Sequence, residues 1–141
     1  PGTEVVDLFE ILLYYPTLRV RLKSGYYFKE PIPAFQLHGT KGSFIKTRSD
    51  RQEVDLDKGH VPTGENWGLD APSEYGILHV DGGSPERVPS EKGNYMAFYE
   101  NVFQSLRNEI APAVPGEDGI ASMRVIDSAY ESALNQKLII F

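Results

Sequence analysis

Cysteine is absent from the 141 residues, which excludes disulfides, thiolate metal ligands and a cysteine nucleophile. A surplus of positive charge is absent too: fourteen Lys and Arg against twenty Asp and Glu leave a net −6, a balance that repels phosphate backbones and anionic lipid surfaces. Neither nucleic acid nor membrane is an expected partner. No apolar run approaches the roughly 20 residues of a bilayer-spanning helix; Ile11 to Tyr15 and Leu138 to Phe141 are far shorter. No GxGxxG and no GxxxxGKS/T occurs, so these residues are not expected to bind a dinucleotide or a nucleoside triphosphate. His38, His60 and His79 stand far apart, without a second ligand at helical metal-site spacing, so no metal is expected. No secretory segment is expected, and a chain without thiols suits a reducing cytoplasm, the expected setting. The sequence opens on Pro1 rather than methionine, and Val5 begins a strand pattern almost at once, which reads as a cut from a longer protein.

What is present is the composition of an ordinary globular domain, 40% hydrophobic and 24% charged. A single domain over residues 1–141 is expected, of a size that buries roughly two thirds of its unfolded surface. Residues 5–13 are rich in Val, Leu, Ile and Phe, and 18–23 alternate strictly: Leu18, Val20 and Leu22 toward a core, Arg19, Arg21 and Lys23 away from it. Tyr15 and Pro16 turn one strand into the next, and a further short strand is expected at Tyr26 to Lys29. Strands follow at 34–38 and 43–47 across the Gly39 to Gly42 turn, and another at 52–56. Asp57 to Ser73 holds three glycines and two prolines and reads as a long loop, the kind that is usually functional in a compact domain. Tyr75 to Val80, a turn at Asp81 to Gly83, and Glu86 to Val88 form a hairpin.

The period then changes. Asn94 caps a helix whose apolar residues Tyr95, Tyr99, Val102, Phe103, Leu106 and Ile110 share one face, with Pro112 as the stop. A second helix runs from about Glu117 to Leu134, ended by a left-handed Asn135, and Leu138 to Phe141 follows as a last strand. Strands followed by two amphipathic helices imply an α+β fold of two layers, an open and mostly antiparallel β-sheet with helices packed on one face.

Few groups carry chemistry. Glu53, Asp55 and Asp57 recur every second residue, which on a strand lines one face with carboxylates, either for a hard cation or, more simply, opposite the Arg19, Arg21, Lys23 stripe. Ser128 and Ser132 lie four apart on a helix without a nucleophile elbow and read as packing or surface serines. Trp67, the one tryptophan, sits in the long loop with Arg51, Gln52, Glu53, Asn66 and Asp70 near it in sequence. A flat ring beside hydrogen-bonding groups suits sugar recognition; equally, the ring could anchor its own loop. Tyr95 starts a helix and faces either the core or the site. Arg51, Gln52, Trp67 and Tyr95 are the substrate-proximal candidates, and no residue is assigned a catalytic, cofactor-binding or metal role.

The run Val6, Asp7, Leu8, Phe9, Glu10, Ile11, then FQLHGTKGSF at 35–44, DRQEVDLDKG at 50–59 and the Pro62, Trp67, Gly68 spacing, with GNYMAFYENV at 93–102 and IDSAYESALNQKLIIF at 126–141, together resemble the C-terminal domain of the Gfo/Idh/MocA oxidoreductases, in particular the YdgJ-like branch. The resemblance covers nearly the whole chain from about residue 5. It implies an upstream Rossmann domain holding NAD or NADP, hydride transfer to or from a sugar, polyol or related hydroxyl or carbonyl compound, and a sheet face that pairs subunits into a dimer or larger homo-oligomer. The family's dinucleotide fingerprint, its EKP motif with the catalytic lysine and its DxxxH motif have no match here and would lie upstream. On that reading the chain is the substrate-side wall and is inactive alone. Asn135 and Gln136, where relatives often carry glycine, and Gly119, where a better helix former is usual, depart from the pattern. Two alternatives remain open: a free-standing, non-enzymatic α+β module that binds a ligand or partner through its sheet, and a sensor that has kept the fold and lost catalysis.

Overall fold

The computed structural model describes residues 6–140. The expected antiparallel α+β class is what it contains, with the strands divided between a two-stranded and a four-stranded sheet. The chain groups into two compact units: residues up to Lys29 together with Gln104 onward, and Glu30–Phe103.

In the first unit β1 (Leu8–Tyr14) pairs antiparallel with β2 (Arg19–Gly25), Tyr14 opposite Arg19 and Leu8 opposite Gly25. The turn falls at Tyr15 and Pro16 as expected, closed by Tyr15 N–H donating to Leu18 O at 3.0 Å. Strand alternation puts Glu10, Leu12 and Tyr14 on the same face as Lys23, Arg21 and Arg19. Arg21 is paired there with Glu10 at 2.9 Å, and the Arg19 guanidinium lies over the Tyr14 ring. The opposite face carries Ile11, Leu13 and Val20, all half-buried. Val5, where the strand pattern was expected to open, lies outside the described residues, and β1 proper begins at Leu8.

Tyr26 to Lys29 is a turn and not the expected strand. Tyr26 N–H donates to Asp7 O, so the backbone folds back to close the β1–β2 pair and no partner strand is left for it. The last expected strand is also absent: Leu138–Ile140 carry no ladder among the described residues, and Phe141 lies outside them. The long helix here, Gly116–Asn135, starts beside Glu117 and Asp118 at the favourable dipole end. Its left-handed terminator is Gln136 (φ 52°, ψ 43°), one residue beyond the expected Asn135, and Lys137 N–H returns to Ser132 O.

In the second unit β3 (Phe35–Gly39), β4 (Gly42–Lys46), β5 (Gly76–Val80) and β6 (Glu86–Val88) form an antiparallel meander in sequence order. Gly39 opposes Gly42 across a two-residue turn. Phe44 lies over Gly76, where a Cβ would come within 2.1 Å of the ring, so the face of the sheet is shaped by that glycine.

Residues 52–56 form no strand; they belong to the helix α1 (Arg51–Asp57). The alternation of acidic and apolar side chains imitates period two, but Asp50 is extended (φ −139°, ψ 90°) and its Oδ1 accepts from Glu53 N–H at 3.2 Å. That N-cap and the Arg51–Asp55 pair one turn apart, at 3.4 Å, decide for helix. On the helix Glu53 and Asp57, four apart, keep one face while Asp55 turns away to the other side, so the three carboxylates do not line up as on a strand, and Asp55 lies beside His60 Nδ1 at 3.6 Å.

The long loop follows, closed by a short 3-10 turn at Pro72–Glu74. The helix α2 (Tyr95–Asn108) begins where Asn94 predicts, with Asn94 Oδ1 accepting from Ala97 N–H at 3.2 Å, and spans the division between the units. It ends four residues before Pro112, at a left-handed Glu109 (φ 55°). The Gly116–Asn135 helix is α3. No hydrophobic side chain among the described residues is buried; Leu12 and Tyr14 of β1 and the apolar row of α2 are all exposed.

Candidate functional site

The second unit contains the one buried polar side chain among the described residues, Gln52, at 4% exposure. A buried amide persists only if its polar atoms are paired. Gln52 Oε1 accepts from Trp67 Nε1–H at 3.2 Å and from Tyr95 N–H, the first amide of α2, at 3.0 Å. One side chain of α1 thus ties down the long loop and the start of α2. The backbones close over it: Gly93 N–H donates to Gly68 O at 2.9 Å, and Gly68 holds φ 76°, a region that favours glycine. A Cβ on Gly68 would lie 2.2 Å from Gly93 O, and one on Gly93 would lie 2.5 Å from Gln52 Nε2.

Tyr95 is tied a second time. Its phenol donates to Asp50 Oδ2 while Oδ1 of the same carboxylate caps α1, so both carboxylate oxygens are engaged. The hydrogen bond to Asp50 is the main reason the Tyr95 phenol is pushed up to about 12, aided by desolvation and by the negative charges of Asp50 and Glu53. Such a phenol stays protonated at neutral pH and serves as a donor, not a base.

Beside this cluster Lys46 spends all three ammonium protons, on Ser49 Oγ and Asp70 Oδ2 at 2.9 Å and on Glu74 O at 3.0 Å. Ser49 Oγ also donates to Asp70. The two charged side chains are 16% and 11% exposed. Burial raises the Asp70 carboxyl, but Ser90, Lys46 and Ser49 together with the Lys46 charge more than offset it, and it is held below its ordinary value. The buried Ser90 hydroxyl finds no partner of good hydrogen-bond geometry, so Lys46 and Ser49 are the contacts that hold the carboxylate. This lysine is a brace with no proton left for a ligand.

A cleft of about 270 Å³ opens among these groups, with Lys46, Asp50, Arg51, Gln52, Asp70 and Tyr95 in its wall. Three of the four sequence-predicted residues, Arg51, Gln52 and Tyr95, share that wall. Trp67 is not in the wall; it is half-buried and joins the cluster through its indole N–H. Lys46, Ser49 and Asp50 were not singled out from sequence. The Asp50-x-x-Glu53 spacing, a helix-start signature, was the available signal for Asp50. Lys46 and Ser49 become visible only when β4 delivers them to Asp70.

A larger cleft, about 470 Å³, lies in the first unit between β1 and α3. Its walls are mainly Ile11, Leu13, Val125, Ala129 and Ala133, and the Ser132 hydroxyl there donates to Lys137 O at 2.6 Å. Glu10 and Lys137 also line it, but each is paired with a residue outside the lining, Arg21 and Glu131 respectively, so size does not make it the chemical site. His38 bonds Ser43 Oγ and His79 bonds Gly83 O, each within its own hairpin, and among the described residues no group of three His, Asp or Glu could hold a metal ion.

Every described strand pairing is antiparallel, and among the described residues no glycine-rich turn leads from a strand into a helix start. No described helix is long and apolar enough to cross a membrane.

The family model described as the C-terminal alpha/beta domain of the oxidoreductase family matches residues 1–139, and the chain belongs to that Gfo/Idh/MocA family. It is 36% identical over 141 residues to scyllo-inositol 2-dehydrogenase (NADP(+)) IolW of Bacillus subtilis, covering 98% of this chain and 39% of that protein. It is 32% identical to the uncharacterised oxidoreductase YdgJ of Escherichia coli, covering 94% of this chain and 39% of that one. Among solved structures, the putative oxidoreductase yvaA of Bacillus subtilis superposes with a TM-score of 0.91 at 35% identity, covering 100% of this chain and 42% of that one. The chain therefore spans about two fifths of the length of these relatives.

Proposed function

We propose that the full-length protein is a cytoplasmic NAD(P)-dependent oxidoreductase acting on a sugar, a polyol or a related hydroxyl or carbonyl compound, and that this chain forms the wall against which the substrate sits. The observation that carries the proposal is the single cleft wall shared by Arg51, Gln52 and Tyr95, tied to Trp67 through a buried amide, in a chain similar to an inositol dehydrogenase. Polyols are recognised by convergent donors and acceptors beside a flat apolar surface; the wall supplies the polar groups, and on this reading the half-buried Trp67 ring tied behind it supplies the flat one. Arg51 engages Asp55 through Nε and is 45% exposed at its side chain, which makes it the most available donor of the wall. The nicotinamide and the acid-base groups belong, on this reading, to the part of the polypeptide that precedes these residues in the relatives. Two-fold pairing through the exposed face of β1 and β2 is part of the proposal, supported by the apolar Leu12 and Tyr14 left exposed between charged neighbours.

The test is turnover by the full-length protein, followed by the absorbance of reduced nicotinamide across a panel of inositols, sugars and sugar alcohols with NAD and NADP. Reduction with at least one polyol or sugar is expected, together with no saturable binding of NADPH to the isolated chain. Absence of turnover with the whole panel in both directions contradicts the proposal.

A further inference from the structure

The amide of Gln52 is placed to control other groups more than to meet a ligand. Two N–H groups from different segments, Trp67 Nε1–H and Tyr95 N–H, converge on its oxygen, which fixes the orientation of the amide: only the carbonyl end can face two donors. Its nitrogen then lies against Gly93, in space that even a methyl group could not enter. The side chain is 4% exposed. Around it three stretches that are distant in sequence meet, namely α1, the long loop at Trp67 and Gly68, and Gly93 to Tyr95 at the head of α2.

We infer that Gln52 is a positioning residue: it sets the Trp67 ring and the first turn of α2, and hence the shape of the cleft wall, without touching substrate itself. This rests on the proposed substrate wall and sharpens it, since it divides the four candidate residues by role. Gln52 acts through Trp67 and Tyr95. The Tyr95 hydroxyl is committed to Asp50, so of the four candidates the one left in the wall to meet a ligand is Arg51, through its guanidinium, while Trp67 stands behind the wall as part of its support.

The two roles of an amide separate by substitution. Gln52→Glu keeps an acceptor oxygen for both N–H groups, ionised or not, and removes the N–H donors; Gln52→Leu removes the acceptor as well. Trp67 is the only tryptophan of the chain, so its emission and acrylamide quenching report the tie directly, with far-ultraviolet circular dichroism to establish that each variant is folded. Gln52→Leu is expected to shift Trp67 emission to the red and to raise quenching, while Gln52→Glu leaves both near wild type. In the full-length enzyme Gln52→Leu is expected to raise KM about tenfold, equivalent to about 1.4 kcal/mol, with kcat changed less, and Gln52→Glu to restore KM. If Gln52→Glu keeps the native emission yet raises KM as far as Gln52→Leu does, the amide meets the substrate and the inference is overturned. Unchanged emission in folded Gln52→Leu overturns it too, as does shifted emission with KM and kcat both unaltered. Arg51→Ala judges the substrate wall separately: a raised KM there with no effect at Gln52 removes the positioning role and leaves the wall standing.

Discussion

Lys46 Nζ stands 2.9 Å from Asp70 Oδ2 with only 16% and 11% of the two side chains exposed, the tightest ion pair among the described residues to be shielded from water. It joins the end of β4 to the end of the long loop. Removing one partner of such a pair leaves the other charge without compensation, so Lys46→Met is expected to cost about 2–3 kcal/mol in urea unfolding, less than a fully buried pair because the site lies near the surface. The pH dependence has a definite sign. The folded-state pKa of Asp70 is lowered, so its contribution is complete above the ordinary carboxylate range and is lost as the pH falls through the folded value. Asp70→Asn should flatten that acid limb of the stability curve; an unaltered limb would count against the pair.

Tyr95 gives the opposite limb. A phenol raised to about 12 keeps its proton in the folded chain at pH values where the unfolded chain has lost it. Its contribution is therefore complete below the ordinary tyrosine value of about 10 and disappears as the pH rises toward about 12. A phenolate absorbance titration should contain a late step, and Tyr95→Phe should remove it. A titration with no late step, or one whose late step survives Tyr95→Phe, would mean that the bond to Asp50 does not persist in solution.

Gly68 and Gly59 share a positive φ, 76° and 77°, but only Gly68 is crowded. Gly59→Ala should cost about 1 kcal/mol, the conformational penalty alone. Gly68→Ala should cost about 3 kcal/mol or more, because a Cβ 2.2 Å from Gly93 O also has to force the loop and the α2 entry apart. Equal losses in chemical denaturation would show that the two backbones do not meet over Gln52.

Light scattering on the full-length protein should give the mass of a dimer or a larger assembly of even number. Charge reversal at Arg21 together with Leu12→Lys, both on the exposed β1–β2 face, should shift the mass toward the monomer. A monomer at high concentration before any substitution contradicts pairing through that face.

The strands that were legible in the sequence are those whose alternation is reinforced by turn chemistry: β1 and β2 around Tyr15 and Pro16, β3 and β4 around the Gly39 to Gly42 turn, and β5 and β6 around Gly82. The helix α2 was legible because Asn94 caps it. The α1 helix was not, since Val54 and Leu56 alternate with acidic residues as a strand would, and a single side-chain cap from Asp50 outweighs that pattern. Tyr26 to Lys29 has strand-forming residues but no ladder to join, something no local pattern reveals. In the candidate site, residue types pointed to Arg51, Gln52, Trp67 and Tyr95, yet not to their connections. That Gln52 is the hub follows from a separation of 43 residues closed by one hydrogen bond, and Lys46 emerges only through Asp70 and Glu74, 24 and 28 residues away.

The substrate wall is tested most directly by the specificity constant of full-length Trp67→Ala against wild type across the accepted polyols and sugars. Loss of the indole also takes away one of the two donors to Gln52 Oε1, leaving Tyr95 N–H as the other, so the apolar face is removed and the wall loses one of its ties. A fall in kcat/KM of about tenfold or more, larger for substrates with the larger apolar face, is expected. An unchanged kcat/KM for every accepted substrate would contradict a substrate wall in this part of the protein.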